Sequence, residues 1–236
     1  MIEKPLISVV VPVWNESKYL PPCIASLSRQ TYSNFEIIAI DNKSTDQTVK
    51  MCSKAGWMVY QQVQKGISAA RAEGFAKAKG SIIASTNGDT AVPDNWLETI
   101  AQTFTDPAVV STYGPVHFIE GDTQPFYKFM NLLSQAFFTF SHLIGRDHAI
   151  GENFAVSRTA YTQIGGFNLK LPTAEDVDLN YRIAKVGKIV FNPKLLAHTS
   201  NRRLAEEKLH FFAHHIENYI RLTFFNSASS DFKPIR

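Results

Sequence analysis

The chain has 236 residues, 44% of them hydrophobic, a formal net charge of +3 and two cysteines. That length suits one large α/β domain with a sizeable core, and without a dense Lys/Arg run the charge does not describe a nucleic-acid binder. Cys23 and Cys52 lack metal-ligand spacing and read as structural thiols of a reducing, cytoplasmic compartment.

Residues 7–13 are nearly all Ile and Val, the pattern of a strand buried on both faces, and they read as a first strand rather than a signal peptide. Ser17 is placed to cap a helix reaching about residue 30, with Leu20, Ile24 and Leu27 at helical spacing. A second strand covers 35–40, and Thr45-Asp46 starts a helix through Ala55 that Gly56 closes. Residues 57–62 form a third strand, 67–79 an Ala-rich helix and 81–85 a fourth strand. Pro93-Asp94 opens a helix through Phe104, and 108–113 is a fifth strand. This alternation implies a mostly parallel central sheet, flanked by helices, with right-handed crossovers.

The second half differs. Residues 125–145 carry one formal charge, Lys128, and are crowded with Phe, Leu and Met. A strand at 149–156 precedes a short helix and the turn Gly165-Gly166-Phe167. Residues 176–186 are helical up to Gly187, and 188–192 return as a strand. The last helix, 204–225, places Leu209, Phe212, Ile216, Ile220 and Phe224 on one side. The chain reads as one domain over 1–236, with a first half to 114, a second half at 115–203 and a C-terminal helix and tail.

At roughly 20 residues the 125–145 segment reaches the lower bound for crossing a bilayer, but Asn131, Ser134, Gln135, Ser141 and His142 dilute it. Burial against the core, burial in a homodimer and an interfacial helix at a membrane surface are the open readings.

Three acidic positions stand just past apolar runs: Asp41, Asp89 and Glu175-Asp176. Open α/β sheets bind ligands beyond the carboxyl ends of their strands, and carboxylates there need partners. Six motifs occur in order: Pro12-Val13-Trp14-Asn15-Glu16, Asp41-Asn42-Lys43-Ser44-Thr45-Asp46, Gly66-Ile67-Ser68-Ala69-Ala70-Arg71, Asn87-Gly88-Asp89, Gly165-Gly166-Phe167 and Glu175-Asp176. Together they resemble glycosyltransferase family 2, whose GT-A fold mostly serves inverting transfer from nucleotide-sugar donors.

The resemblance implies that Asp41 accepts a hydrogen bond from a uracil ring in a pocket lined by Pro12 and Trp14, although Asp41-Asn42-Lys43-Ser44 is also ordinary turn chemistry. Glu16 then touches base or ribose, and Arg71 base or phosphate. Asn87-Gly88-Asp89 occupies the place of the family's Asp-x-Asp signature, with Asp89 as ligand of Mg²⁺ or Mn²⁺ and Asn87, in place of the first Asp, toward the ribose. Asp176 is expected as the general base and Glu175 as its support or an acceptor ligand. His198 is a second candidate metal ligand, Arg202 and Arg203 a diphosphate clamp, and Asn153 and Gly166 neighbours of the donor sugar or acceptor. The acceptor is a glycan or a lipid-linked carrier. The departure at Asn87 keeps a second reading open, a catalytically inactive nucleotide-sugar-binding protein of the same fold.

Overall fold

The computed structural model describes residues 4–64, 66–119, 123–171, 174–207 and 217. In chain order these form β1 (Ile7–Val13), α1 (Leu20–Ser28), β2 (Phe35–Asp41), α2 (Thr48–Lys54), β3 (Met58–Gln61), α3 (Ile67–Lys77), β4 (Ile82–Ser85) and β5 (Thr90–Ala91). There follow α4 (Trp96–Thr103), β6 (Val109–Tyr113), β7 (Val116–Phe118), α5 (Pro125–Leu143), β8 (Phe154–Ser157) and α6 (Arg158–Gln163). The last described elements are α7 (Glu175–Ile183), β9 (Lys188–Phe191), β10 (Ala197–Thr199) and α8 (Arg202–Glu207). The rest of the expected 204–225 helix, apart from residue 217, and the tail lie outside the described residues.

The main sheet has seven strands in the order β3-β2-β1-β4-β8-β6-β9. Only β8 runs antiparallel to its neighbours, so the sheet is mostly parallel as expected. Its strands are apolar on both sides because helices cover both faces. In β1, Val9 and Val11 join Leu20, Leu27, Trp96 and Ile100 in one core, while Val10 joins Ile38, Ile40, Phe75 and Phe154 in the other. Gly74 lets α3 lie close on this sheet, since a Cβ there would come within 2.3 Å of a Val10 methyl. Arg71, one turn earlier on the same helix, is thereby brought against the sheet's carboxyl end.

Two expectations change. Ser17 does not cap α1; its N–H donates to Asp46 Oδ2 at 3.0 Å, and the helix starts at Leu20 with prolines in its first turn. The strand expected at 149–156 begins only at Phe154, because Gly151–Asn153 form a turn. A second sheet, ordered β5-β10-β7, is built from strands of two and three residues, too short to show a periodicity in sequence.

Asn153 is a further correction. It is fully buried, with Oδ1 accepting from Trp96 Nε1 at 2.9 Å and Nδ2 donating to Pro115 O at 2.9 Å and to Leu195 O. Its amide is therefore committed to joining α4, β8 and the approaches to the small sheet, rather than to sugar hydroxyls.

Helix α5 is polar inside and apolar outside. Asn131 accepts from Phe118 N–H at 2.7 Å, Ser134 donates to Val116 O at 3.0 Å, and Phe138 packs on Tyr113 and Phe191. Asp147 accepts from Tyr113 Oη at 2.8 Å and pairs with His142, fastening the helix's far end. The outer face exposes Phe126, Phe129, Leu132, Phe137, Phe140 and Leu143. Asn131, Ser134 and Ser141, which break the apolar run in sequence, are thus turned toward the protein. Among the described residues no helix is long and apolar enough to cross a membrane.

Asn153→Ala leaves an indole N–H and two carbonyls without their partner. It is expected to destabilise the fold by about 2 kcal/mol or more, read as a lower urea midpoint at unchanged slope. An unshifted midpoint would return Asn153 to the ligand-facing residues.

Candidate active site

The carboxyl ends of β1, β2 and β3 are level: Val13 pairs with Asp41, and Asp41 with Gln61. The loops that leave these ends are latched to one another. Asn15 Oδ1 accepts from Thr45 N–H at 2.8 Å, Asn15 N–H donates to Ser44 Oγ at 2.9 Å, and Glu16 N–H donates to Thr48 Oγ1 at 2.7 Å. Asn15 and Lys43 take positive φ values of 51° and 59°, backbone strain that this latch sustains. Asp46 receives Ser17 N–H and Thr48 N–H as well as the Thr48 hydroxyl. Burial alone would raise its pKa, yet these bonds hold the carboxyl down at about 2.

Asp41 is fully buried, bonded by Ser44 N–H and, at 2.8 Å, by Gln61 Nε2. Trp14 is half-buried and follows directly on Val13, the β1 partner of Asp41, whereas Pro12 is buried inside that strand opposite Ile40. The turn chemistry of Asp41 and its place at the strand end coexist in one side chain.

One corner gathers residues far apart in sequence. Arg202 donates to Glu16 Oε1 at 2.6 Å and lies 3.0 Å from Asp89 Oδ2, with its guanidinium over the Tyr19 ring. Gly88 fits tightly beneath, its would-be Cβ 3.3 Å from Glu16 Cγ. Burial, with the Asp89 charge, raises the Glu16 pKa against the opposing pull of Arg202. Burial works against the Arg202 cation, but the bond to Glu16 and the charge of Asp89 outweigh it and hold its pKa above the ordinary value. Glu16 Oε2 is buried with no hydrogen-bond partner in the protein. Two carboxylates sharing one cation form a hard-oxygen set to which Mg²⁺ or Mn²⁺ is chemically suited.

His198 lies on β10, beside the segment that carries Asp89, where Ser200 N–H donates to Asp89 O at 3.2 Å. It pairs with Ala91 of β5 and His117 of β7, its ring 6.2 Å from and perpendicular to that of His117. Among the described residues no group of three or more His, Cys, Asp or Glu is arranged around a metal position, so the geometry does not assemble Asp89 and His198 into a cage.

The second corner is a chain of charges. Arg71, expected at base or phosphate, is instead buried, ion-paired to Glu175 and donating to Asn87 Oδ1 at 2.8 Å. Asn87 Nδ2 donates in turn to Glu152 Oε1 at 3.2 Å. The guanidinium lies on the backbone of Gly151, where a Cβ would fall 2.1 Å from Arg71 Cζ. Glu175 is 2% exposed; burial raises its pKa and Arg71 opposes the rise. Asp176 is half-buried, more exposed than Glu175, and accepts from Gly151 N–H and Val177 N–H. Asp178 pairs with Arg182 one turn along α7. Gly166, at φ 73°, makes the turn that brings Phe167 onto Phe75. Arg203 contributes positive charge toward Glu152.

Glu152 lies in the Gly151-Glu152-Asn153-Phe154 stretch that the resemblance puts near the donor sugar or acceptor, where only its neighbour Asn153 is given a role. Its carboxyl is pushed up to about 7 by burial and by Asp89, against the pull of Arg71 and Arg203. The available signal was an acid between a glycine and the buried Asn153, at the entry to a strand. A cavity of about 440 Å³ lined by Ile24, Leu27, Phe35 and Met58 lies instead at the strands' amino ends, away from every one of these charges.

The profile described as glycosyl transferase family 2 matches residues 8–165, more than half of the chain. The chain belongs to that family. It is 37% identical over 103 residues to the glycosyltransferase GlyG of Streptococcus pneumoniae, covering 41% of this chain and 34% of that protein. It is 27% identical over 195 residues to the glycosyltransferase AglE of Haloferax volcanii, covering 78% of this chain and 62% of that protein. The chain thus spans from a third to under two thirds of these relatives. In structure it resembles the mannosyltransferase PcManGT of Pyrobaculum calidifontis, solved with GDP-mannose and Mn²⁺, at a TM-score of 0.69 and 18% identity over 97% of this chain and 66% of the other. That likeness shows the fold, which is the GT-A architecture that the motifs imply.

The raised carboxyl of Glu152 makes a pH prediction. A carboxyl held above its unfolded value contributes stability that is present at low pH and lost as pH rises through its folded value. The stability difference between wild type and Glu152→Gln should therefore shift in favour of the variant from about pH 4.5 to about 7. Parallel melting curves across that range check it, and a pH-independent difference would show Glu152 to titrate normally.

Proposed function

We propose that this chain transfers a sugar, with inversion, from a nucleoside-diphosphate sugar to a hydroxyl of a glycan or lipid-linked acceptor. The observation that carries the reading is the Glu16–Arg202–Asp89 corner, where two carboxylates at strand ends are held by a cation in a chain of this family. Asp89 is the residue to hold Mg²⁺ or Mn²⁺, with Glu16 beside it. One or two protein carboxylates suffice for such an ion when substrate phosphates complete its shell. When bound, the ion neutralises charge developing on the departing diphosphate.

The protein's own residues do the rest. Asp41, at the level ends of β1 and β2, accepts from an N–H of the base, which favours uracil and hence a UDP donor. Arg202, with its guanidinium already in the donor corner, exchanges its carboxylate partners for the diphosphate. Asp176, oriented by Gly151 N–H, takes the proton of the attacking hydroxyl. Glu175 and Arg71 fix its position from behind.

Calorimetric titration with UDP, GDP and CDP, each with Mn²⁺ and with EDTA, tests the donor reading. Metal-dependent binding of one diphosphate is expected, with Asp176→Asn keeping that affinity while transfer falls by about two to four orders of magnitude. Absence of binding to all three by folded protein would favour a silent member of the family.

The outward apolar face of α5 supports a peripheral contact with a membrane on the cytoplasmic side, in keeping with a lipid-linked acceptor. No acidic residue occurs from 123 to 146, while Lys128 and Arg146 are exposed. The chain should float with vesicles containing anionic lipid, and Phe129→Ser with Phe140→Ser should abolish flotation. Retention in the unbound fraction, with sedimentation showing two copies, would assign the face to a homodimer instead.

A further inference from the structure

Residue 87 is neutral in a place where its neighbours decide what it can be. Arg71 is shared between Glu175 and the Asn87 carbonyl oxygen, and the Asn87 amide nitrogen donates to Glu152. A carboxylate at 87 would still serve Arg71, but it would offer no proton to Glu152. It would instead set two carboxylates about 3.2 Å apart, with Asp89 two residues further on. Like charges at that distance inside a partly buried corner repel strongly. The amide removes that repulsion and supplies the one hydrogen-bond donor that Glu152 needs.

The structure assigns to Glu152 the ligand-facing carboxylate of this corner: we propose that it recognises hydroxyl groups of the donor, with Asn87 bridging it to Arg71. Asn87 and Glu152 are both half-buried, but both polar ends of the Asn87 side chain are already engaged within the protein, whereas Asn87 takes only the Oε1 of Glu152. A carboxylate offers hydroxyls two acceptor oxygens, and one remains when Asn87 holds the other. Glu152 lies on the turn that also contributes Gly151, whose N–H holds Asp176 and whose missing side chain admits Arg71. Donor recognition and placement of the base are thereby joined in two consecutive residues, Gly151 and Glu152. The proposal rests on the donor reading above and deepens it, because Asn87 then marks a carboxylate relocated to 152 rather than one lost.

A charge-relocation cycle tests this. Wild type, Glu152→Gln, Asn87→Asp and the double variant are compared for binding of UDP, GDP and CDP with Mn²⁺, for binding of the matching nucleotide sugar, and for melting temperature. Glu152→Gln is expected to weaken binding by about tenfold or more, the loss of a hydrogen bond to a charged group. Asn87→Asp alone should weaken binding and lower the melting temperature. The double variant, with its carboxylate at 87 and its amide at 152, should recover both. Wild-type affinity in Glu152→Gln overturns the hydroxyl-binding role, and a double variant no better than Asn87→Asp overturns the pairing. If wild type binds none of the diphosphates, the donor reading fails, and melting temperatures alone still decide whether 87 and 152 are coupled.

Discussion

The buried ion pair of Arg71 and Glu175 constrains the rest of the cleft. Both side chains are almost wholly withdrawn from water, and the cost of taking two charges out of solvent is recovered only when their geometry and remaining bonds are satisfied. That requirement explains several neighbours at once. Gly151 has no side chain because the guanidinium occupies the space, Asn87 presents an oxygen to it, and Gly74 lets its helix approach the sheet. Asp176 then receives its orientation from Gly151, so the base candidate is positioned by the same turn that houses the cation. One Arg71 Nε remains buried without a partner, a residual cost carried by the site itself.

The other corner is organised differently. Its fixed part is the latch between the loops that leave β1 and β2, made of short side chains bonding to backbone N–H groups. Such bonds are local and specify loop shape closely, which is why two non-glycine residues hold positive φ there. The acidic side chains are presented by this rigid frame, while their cation arrives from the far end of the described chain. A frame with one late-arriving partner is the arrangement expected where a ligand must compete for the carboxylates.

The main sheet was legible because β-branched runs alternate with amphipathic helices, and its strands fall where those runs fall. The candidate carboxylates were legible for the same reason, since residues just past such strands have few other places to go. What stayed hidden depends on distance in sequence. Nothing local announces that Arg202 meets Glu16, 186 positions earlier, or that Asn153 is consumed by Trp96, Pro115 and Leu195. The small sheet escaped notice because strands of two or three residues carry no period. For helix α5 the sequence left several readings open, because the composition of a segment does not say that Asn131 and Ser134 turn toward the protein while most of its Phe and Leu side chains turn away.

Arg202 belongs to a segment that the seven-stranded sheet does not use. A chain severed after Asn201 would retain every strand of both sheets, yet Glu16 and Asp89 would face each other with no cation between them. The contact among Glu16, Arg202 and Asp89 is therefore set by the few residues that join β10 to Arg202, so a change in the length of that connection would alter the charge balance of the corner directly.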